Sequence, residues 1–301
     1  MAEALALIGA ESFVLLTTER AERPELAERA AEVVHVPAEP VADASAAVRH
    51  RVAGRRIVAL GGGRVVDAAK AIAGADGLSV AAIPTTLAGS SFTPFHRMPA
   101  GFEGWSFVRP SLVVADPALM ASMPMPELAA TAMNALAHAA ESLYMPLSNP
   151  VASAAALQAA SGVSTALAME DVERDELALA AFLGGYAIGV TGLGFHHALC
   201  QSLVASVGTP HAQTNAVMLA HTIAFVRPRA PEAIGRLDEA LGRPLAEVTA
   251  AAGPTTLGAL GVDAGALPAL AGAAVQHPAI GNLPDPAPER AEVLAVLRAA
   301  L

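Results

Sequence analysis

Histidine, amide and carboxylate side chains recur at helical spacing in the second half of this sequence. Asn134, His138 and Glu141 fall at positions i, i+4 and i+7, so one face of a helix carries all three. His197 and Gln201 are one turn apart on another predicted helix. Such groups, brought together from separate helices, can transfer protons or bind a divalent cation. The alternative is that each histidine is an ordinary partly buried residue, the commoner role for any one of them.

A further histidine stands where a helix is expected to begin. His211 follows Pro210, and Asn215 lies one turn further on. The helical half therefore offers three histidines as candidate catalytic groups or metal ligands.

A glycine-rich turn in the first half offers a different chemistry. In "IVALGGGRVVDAAKAIAG" a short apolar strand is followed by Gly61, Gly62 and Gly63 and then by a helix whose expected C-cap is Gly74. Glycine permits positive φ and close approach of a ligand, and a helix N-terminus attracts phosphate. The pattern is neither a P-loop nor G-x-G-x-x-G, so an ordinary tight turn is the alternative.

Lys70 is the only lysine of the chain, which has 17 arginines. It lies one helical turn after Asp67, so the two side chains share a face. A solvated ion pair would stabilise the protein little. Because positive charge elsewhere is supplied by arginine, a compact ammonium group is expected to be chemically required here.

Composition excludes several classes of protein. The formal net charge is −10, and the arginines form no basic stripe, which argues against a nucleic-acid-binding surface. The single cysteine, Cys200, excludes an intrachain disulfide and is typical of a reducing cytoplasm. The N-terminus lacks the basic region of a signal peptide. Residues 177–226 contain no Asp, Glu, Lys or Arg, and "LALAAFLGGYAIGVTGLGF" within them is near the length of a membrane span. Its glycines and the nearby histidines and Pro210 favour a buried helix of a soluble protein instead.

The first third of the chain alternates strand-like and helix-like stretches. Strands are predicted at "SFVLLTT", "EVVHVPA", "RIVALG", "LSVAAIPTT" and "SLVVADP". Strands separated by helices predict a parallel α/β sheet, which binds ligands beyond the carboxyl ends of its strands. After Asp116 and Pro117 almost every stretch is helical. We expect a domain boundary near residues 117 to 126, with an α/β domain over 1–120 and an all-α domain over 121–301.

Four segments, taken in order, resemble motifs of one family. "GGGRVVDAAK" is similar to the turn GGG-S-x-x-D-x-x-K, and "IPTTLAGSSFTP" to P-T-T-x-x-G-S-E-x-T-P. "MNALAHAAESLY" resembles the helix with the first two metal-ligand positions. "GLGFHHALCQSLVASVGTPHAQTNAVMLAH" is similar to G-L-H-H-K-L-C-H-x-L-G-G…P-H-A-x-x-x-A-V-x-L-P-H. Over residues 13 to 301 the chain resembles the iron-containing alcohol dehydrogenase superfamily, with its dehydroquinate synthase-like fold, and within it the maleylacetate reductases.

The resemblance implies a dinucleotide-binding domain, a helical substrate domain that carries the metal positions, and NAD or NADP between them. The pyrophosphate would be held by Gly61, Gly62 and Gly63. The nicotinamide and ribose would lie along Thr85, Thr86 and Ser90, and Asp67 and Lys70 match positions near the cofactor. Thr18 stands where an acidic residue often recognises the adenosine ribose, so NAD and NADP both stay open.

The sequence also departs from the family motifs. Asn134 stands where metal-using members have Asp, and an amide binds a dication less well than a carboxylate. Gln201 replaces a histidine and cannot transfer a proton. Ala198 replaces a lysine that would contact a substrate carboxylate. Arg64 and Ser91 replace the Ser and Glu of the two N-terminal motifs.

The implied reaction is hydride transfer between the nicotinamide and a small unsaturated or keto acid or alcohol. His197 would donate the proton, and His138, His211 and Gln201 would contact the substrate. The metal positions are Asn134, His138, His197 and His211; because they include no anionic ligand, we expect no requirement for Fe or Zn.

Two alternatives to a reductase stay open. One is a lyase, cyclase or oxidative decarboxylase on the same fold, and the other is a non-catalytic partner subunit. The apolar helical half favours a homodimer.

Overall fold

The computed structural model describes residues 6–9, 12–120, 123–253, 255–284 and 286–301. The chain divides into two compact units, Met1–Ser122 and Met123–Leu301.

The first unit is built on a five-stranded parallel sheet with strand order β2-β1-β3-β4-β5. The strands are β1 (Phe13–Thr17), β2 (Glu32–His35), β3 (Arg56–Gly61), β4 (Val80–Pro84) and β5 (Leu112–Val113). The parallel α/β architecture predicted from the alternating pattern is confirmed. Because all strands run the same way, the loops that follow β1, β3 and β4 leave the sheet at the same edge.

Apolar side chains cover the sheet on both faces. Val14 and Leu16 of β1 join a buried cluster that includes Ile72, whereas Phe13 and Leu15 join a second cluster that includes Leu26. This division follows from the two-residue period of a strand. The connecting helices are α1 (Pro24–Ala27), α2 (Val41–Val52) and α3 (Gly63–Asp76).

Helix α3 ends later than the sequence predicts. Gly74 is not the C-cap; the helix continues to Asp76, and Gly77 takes the left-handed conformation with φ +69°. Gly74 instead lies in the helix interior, where a side chain would collide with that of Ser106. The glycine is therefore needed for close packing and not for helix termination.

The described residues of the second unit form helices and connecting loops but no β-strand. Its α-helices are α4 (Met125–Tyr144), α5 (Pro150–Ala166), α6 (Arg174–Thr191), α7 (Phe195–Val207), α8 (His211–Val226), α9 (Pro231–Leu241), α10 (Leu245–Ala250), α11 (Leu267–Ala274) and α12 (Arg290–Ala299). The long helix α4 packs against α5, α6 and α8, while α7 packs against α8 and α11.

The segment "LALAAFLGGYAIGVTGLGF", residues 177–195, is helical as predicted only as far as Thr191, the last residue of α6. Gly192 has φ +91°, and α6 and α7 meet at an angle of 100°. Only glycine readily adopts such a positive φ, so the break is local in origin. Within the described ranges no single helix has the length and apolar composition to cross a membrane, and α6 with α7 would meet that test only as a bent pair.

Candidate functional site

The glycine turn joins the end of β3 to the start of α3. Gly61 is the last residue of β3, Gly62 is the N-cap and Gly63 is the first helical residue. The backbone N–H of Thr85 donates to the carbonyl of Gly61 at 3.0 Å, so the segment after β4 is tied to this turn. The structure thus brings the predicted pyrophosphate residues beside the predicted nicotinamide residues.

Glycine is required at these three positions because neighbouring side chains leave no room for a Cβ, and not because of the backbone conformation. Although glycine permits positive φ, none of the three adopts it. A Cβ on Gly62 would lie 3.1 Å from Cγ2 of Thr86, and one on Gly63 would lie 3.1 Å from Oγ of Ser90. Side chains at these positions would push the two segments apart.

The N-terminus of α3 fits the phosphates of a dinucleotide. Its N-cap, Gly62, offers no side chain to cap the first N–H groups, and the first turn contains no acidic residue. Backbone N–H groups and the positive end of the helix dipole both favour an anion at such a place. With Thr86 and Ser90 alongside, the residues present suit a pyrophosphate and the adjoining ribose.

Lys70 is buried completely and binds the segment that follows β4. Its Nζ donates to the carbonyl oxygens of Ser90 at 2.8 Å, Thr93 at 3.2 Å and Phe95 at 2.6 Å. It also lies 2.8 Å from Oδ1 of Asp67. Three directional contacts to the main chain suit an ammonium group, which carries three donors.

The alternative of a solvated Asp67–Lys70 pair is therefore wrong. Burial lowers the pKa of Lys70, and the neighbouring carboxylate of Asp67 opposes that effect. The second oxygen of Asp67 accepts a hydrogen bond from Oγ of Ser90 at 3.0 Å. The pair thereby positions Ser90 beside the glycine turn, while its predicted contact with the cofactor stays a prediction.

Thr18 follows β1 at the same edge of the sheet. Its Oγ1 accepts a hydrogen bond from the N–H of Ala21 at 3.3 Å, which closes a tight turn. Glu19 and Arg20 beside it are exposed. The neutral hydroxyl carries no charge that would repel a 2′-phosphate.

In the helical unit, His197 and Glu141 form a buried pair between α7 and α4. Nδ1 of His197 lies 2.6 Å from Oε2 of Glu141, and both side chains are almost inaccessible to solvent. The carboxylate also accepts hydrogen bonds from the backbone N–H groups of His197 and Gly194, each at 3.2 Å. Burial alone would raise the pKa of Glu141, but the charge and hydrogen bonds of His197 outweigh it and lower that pKa.

Asn134 and His138 lie against the other side of the His197 ring. Oδ1 of Asn134 is 3.4 Å from Nε2 of His197, and the rings of His138 and His197 stack with centroids 4.8 Å apart. Burial, reinforced by the neighbouring His197, holds the pKa of His138 well below its ordinary value. Within the described residues, Nδ1 of His138 is buried without a hydrogen-bond partner.

His211 joins this cluster through Asn215 and His196. Nδ2 of Asn215 lies 2.8 Å from the carbonyl oxygen of His211 and 3.3 Å from Nε2 of its ring. Oδ1 of Asn215 lies 2.9 Å from Nε2 of His196, whose Nδ1 lies 2.9 Å from Oγ1 of Thr222. Burial, followed by the nearby His197, lowers the pKa of His196 to about 4.

Gln201 contacts a histidine from a different part of the chain. Nε2 of His277 lies 3.0 Å from Oε1 of Gln201, and Nδ1 of His277 accepts from the N–H of Ala279 at 3.2 Å. An amide oxygen can only accept, so the proton of a neutral His277 is on Nε2. A titratable ring therefore stands beside the glutamine that cannot itself transfer a proton.

The metal-ligand positions do not fit a tightly bound divalent cation. No group of three or more His, Cys, Asp or Glu side chains in the described ranges has a geometry that could hold one. Asn134 contributes a neutral amide, and the nearest carboxylate, Glu141, is engaged by His197. A metal would need the lone pair on Nε2 of His211, but that nitrogen faces the amide nitrogen of Asn215 at 3.3 Å.

Several members of the cluster have no role in the motif comparison. The sequence places Glu141 on the helix face of Asn134 and His138 but gives it no function. It does not point to Thr222 or His277. The adjacent histidines at 196 and 197 are the available signal for His196, whereas nothing near position 277 indicates its contact with α7.

Comparisons with known proteins agree over both units. Residues 128–301 match the Fe-containing alcohol dehydrogenase family, C-terminal, and residues 5–124 match a model described as iron-containing alcohol dehydrogenase. Maleylacetate reductase from Burkholderia cepacia is 33% identical over 88% of this chain and 78% of its own length. Maleylacetate reductase 2 from Cupriavidus pinatubonensis is 36% identical over 70% of this chain and 62% of its own length.

A solved structure gives the same result. The crystal structure of maleylacetate reductase from Agrobacterium tumefaciens superimposes with a TM-score of 0.87 at 32% identity, covering 100% of this chain and 92% of that one. The similarity in sequence and in fold thus covers both the glycine turn and the histidine cluster. The chain belongs to the iron-containing alcohol dehydrogenase family and is an oxidoreductase of that family, which implies the use of NAD or NADP.

Proposed function

We propose that the chain reduces a small unsaturated or keto carboxylic acid of the maleylacetate type with NADH or NADPH, and that His197 donates the proton. The observation that carries the proposal is the buried hydrogen bond of 2.6 Å between Nδ1 of His197 and Glu141. A carboxylate in this place fixes the orientation of the imidazole, as general acid–base catalysis requires.

The bound dinucleotide would supply a hydride to the substrate carbon. The π bond that accepts the hydride breaks, and the electron pair released on the neighbouring atom takes a proton from Nε2 of His197. Because Nδ1 is held by Glu141, Nε2 is the nitrogen available for this transfer. Asn134, 3.4 Å from Nε2, would keep the ring in place until the substrate binds.

His138, His211 and Gln201 would contact the substrate. His138 is neutral at physiological pH because its pKa is lowered by burial, so it would act as a hydrogen-bonding group and not as a cation. His277 would assist Gln201 through their hydrogen bond.

On the dinucleotide side, the pyrophosphate would be held by Gly61, Gly62 and Gly63. The nicotinamide and its ribose would lie along Thr85, Thr86 and Ser90. Thr18 would lie beside the adenosine ribose and tolerate it with or without a 2′-phosphate, so that NAD and NADP could both bind.

The proposal also includes the oligomeric state, the cellular compartment and the partners of the protein. We expect a homodimer that acts on a dissolved substrate in a reducing cytoplasm, without nucleic acid or membrane. The lone buried cysteine and the net charge of −10 support this part. Sedimentation velocity at two protein concentrations tests the dimer.

The test is turnover of maleylacetate with NADH and, separately, NADPH, followed by nicotinamide absorbance and by chromatography of the product. The expected result is one reduced product for each dinucleotide oxidised. Product formation without net oxidation of the dinucleotide would identify a lyase or cyclase instead. If none of NAD, NADH, NADP or NADPH raises the melting temperature, the chain is a non-catalytic partner subunit, since a ligand of the native state must stabilise it.

A further inference from the structure

The orientation of the Asn215 amide is determined by the main chain. Its side chain lies 2.8 Å from the carbonyl oxygen of His211, and this contact requires the amide nitrogen, because two oxygens there would repel. The amide oxygen therefore points to His196. The second N–H of the same nitrogen lies against Nε2 of His211, 3.3 Å away.

This orientation in turn determines where the proton of His196 resides. Oδ1 of Asn215 is an acceptor 2.9 Å from Nε2 of His196, so Nε2 must carry the hydrogen. Nδ1 of the neutral ring is then an acceptor, and the Thr222 hydroxyl 2.9 Å away must donate to it. The same hydroxyl also lies within donating distance of the Met218 and Leu219 carbonyls, each 3.0 Å away. We assign its single hydrogen to the ring, because otherwise Nδ1 of His196 would be a buried acceptor facing another acceptor.

The chain of donors therefore runs in one direction, from Thr222 through His196 and Asn215 to His211. All three residues before His211 are buried, with exposed fractions of 1%, 1% and 0%. A fully satisfied polar network in a protein interior keeps its members in one arrangement, because an unpaired group there is costly.

We propose that His196, Asn215 and Thr222 are positioning residues that hold the proton of neutral His211 on Nδ1 by donating a hydrogen bond to its Nε2. The inference rests on the proposed function in one respect, namely that His211 contacts the substrate. In this tautomer the single ring hydrogen of His211 is on Nδ1, and a carbonyl or carboxylate oxygen of an acidic substrate would accept it on binding.

The test is the ¹⁵N spectrum of the histidine rings in the full-length protein, with His211 assigned by its loss in His211→Gln. The expected signal for His211 in the wild type is that of the Nδ1–H tautomer. In Asn215→Leu this preference should be lost. In Asn215→Asp the carboxylate should draw the proton to Nε2, so the two variants differ in a way that unfolding cannot imitate. A wild-type His211 protonated on Nε2 would overturn the proposal.

Turnover supplies the second readout. We expect Asn215→Leu to lower kcat about tenfold, the scale of effect seen for partners that orient a functional histidine, with the KM for the dinucleotide unchanged. Ser202→Ala is the matched control, because Ser202 is a buried residue on α7 whose hydroxyl donates to the carbonyl of Ala198, one turn earlier on the same helix. Equal kcat in Asn215→Leu and the wild type would contradict the positioning role. If the wild type reduces no acid, the proposed function fails, while the tautomer spectrum still decides the inference.

Discussion

The two units each bury a polar centre, and the two centres differ in how fully their groups are paired. In the first unit the ammonium of Lys70 donates to three carbonyl oxygens, and Oδ1 of Asp67, which has no hydrogen bond among the described residues, is still paired with that ammonium at 2.8 Å. In the second unit, Nδ1 of His138 is buried without a partner among the described residues, and Nε2 of His197 has only Asn134 at 3.4 Å.

This difference separates structural groups from chemical ones. A buried polar group whose hydrogen-bonding capacity is satisfied stabilises one conformation, whereas a group held in place with capacity left over is poised to bind a ligand. Lys70 belongs to the first kind and fastens the segment around Ser90 to helix α3. His138 and His197 belong to the second kind.

Gly62→Asp should have the largest effect on ligand binding. The added carboxylate would face the pyrophosphate and its Cβ would crowd Thr86, so we expect no measurable binding of NADH by calorimetry. Gly62→Ala carries the Cβ without the charge, and Gly235→Asp adds a carboxylate where nothing lies within 4 Å. Binding of NADH by Gly62→Asp with wild-type affinity would show that the turn is only structural.

Lys70→Met should have the largest effect on stability. Removal of the ammonium leaves Asp67 and three carbonyl groups without their cation. Breaking a fully buried ion pair costs about 3–5 kcal/mol, and because Asp67 is 24% exposed we expect the lower end of that range. The free energy of unfolding from urea titration measures the loss. Arg64→Met, an exposed cation on the same helix, is the control and should change stability little. If Lys70→Met loses little stability, Lys70 is not a structural group and belongs with the groups, such as His138 and His197, that are held ready to bind a ligand.

His197→Ala should lower turnover about 10²-fold or more, the usual contribution of a general acid. Affinity for the dinucleotide should barely change, because the glycine turn is unaltered. Single-turnover oxidation of NADH at saturation measures the step. His221→Ala, a half-buried histidine on α8, provides the comparison. An unaltered rate in His197→Ala would make solvent the proton source.

Acid should destabilise the protein before its carboxylates titrate. The pKa of His196 is about 4 in the folded protein against 6.5 for an ordinary histidine, so below pH 6.5 the unfolded chain binds a proton that the folded chain does not. The stability contributed by the neutral ring is present above pH 6.5 and is lost as the pH falls toward 4. At pH 5 this amounts to about 2 kcal/mol.

Urea titrations at pH 7 and pH 5 measure that loss. In His196→Gln the decrease should be smaller, whereas His50→Gln, which removes an exposed histidine, should leave it unchanged. The same pH dependence in all three proteins would mean that His196 titrates normally when folded.

Chelation should have the smallest effect. Because the donor set lacks a carboxylate and Nε2 of His211 faces Asn215, we expect the rate to be the same before and after treatment with EDTA. Elemental analysis of the purified protein accompanies the assay. Stoichiometric iron or zinc, lost together with activity, would contradict this expectation.

Local sequence patterns predicted much of the fold. The strands around β1 and β3 are read from short β-branched runs, and the glycine turn from three small residues between a strand and a helix. The same patterns misplaced the end of α3, because Gly74 resembles a C-cap. Its actual role depends on Ser106, more than thirty residues away, which no local pattern contains.

The sequence by itself determined the family, the alternating first unit, the helical second unit and the histidines at helical spacing, since these depend on residue type and period. Only the tertiary structure decided which polar groups are paired. It placed Lys70 against three distant carbonyl groups, Glu141 against His197, His196 against Asn215, and His277 against Gln201. These contacts join residues far apart in the chain, and a hydrogen bond depends on the final positions of both partners, which helical packing establishes and sequence spacing does not.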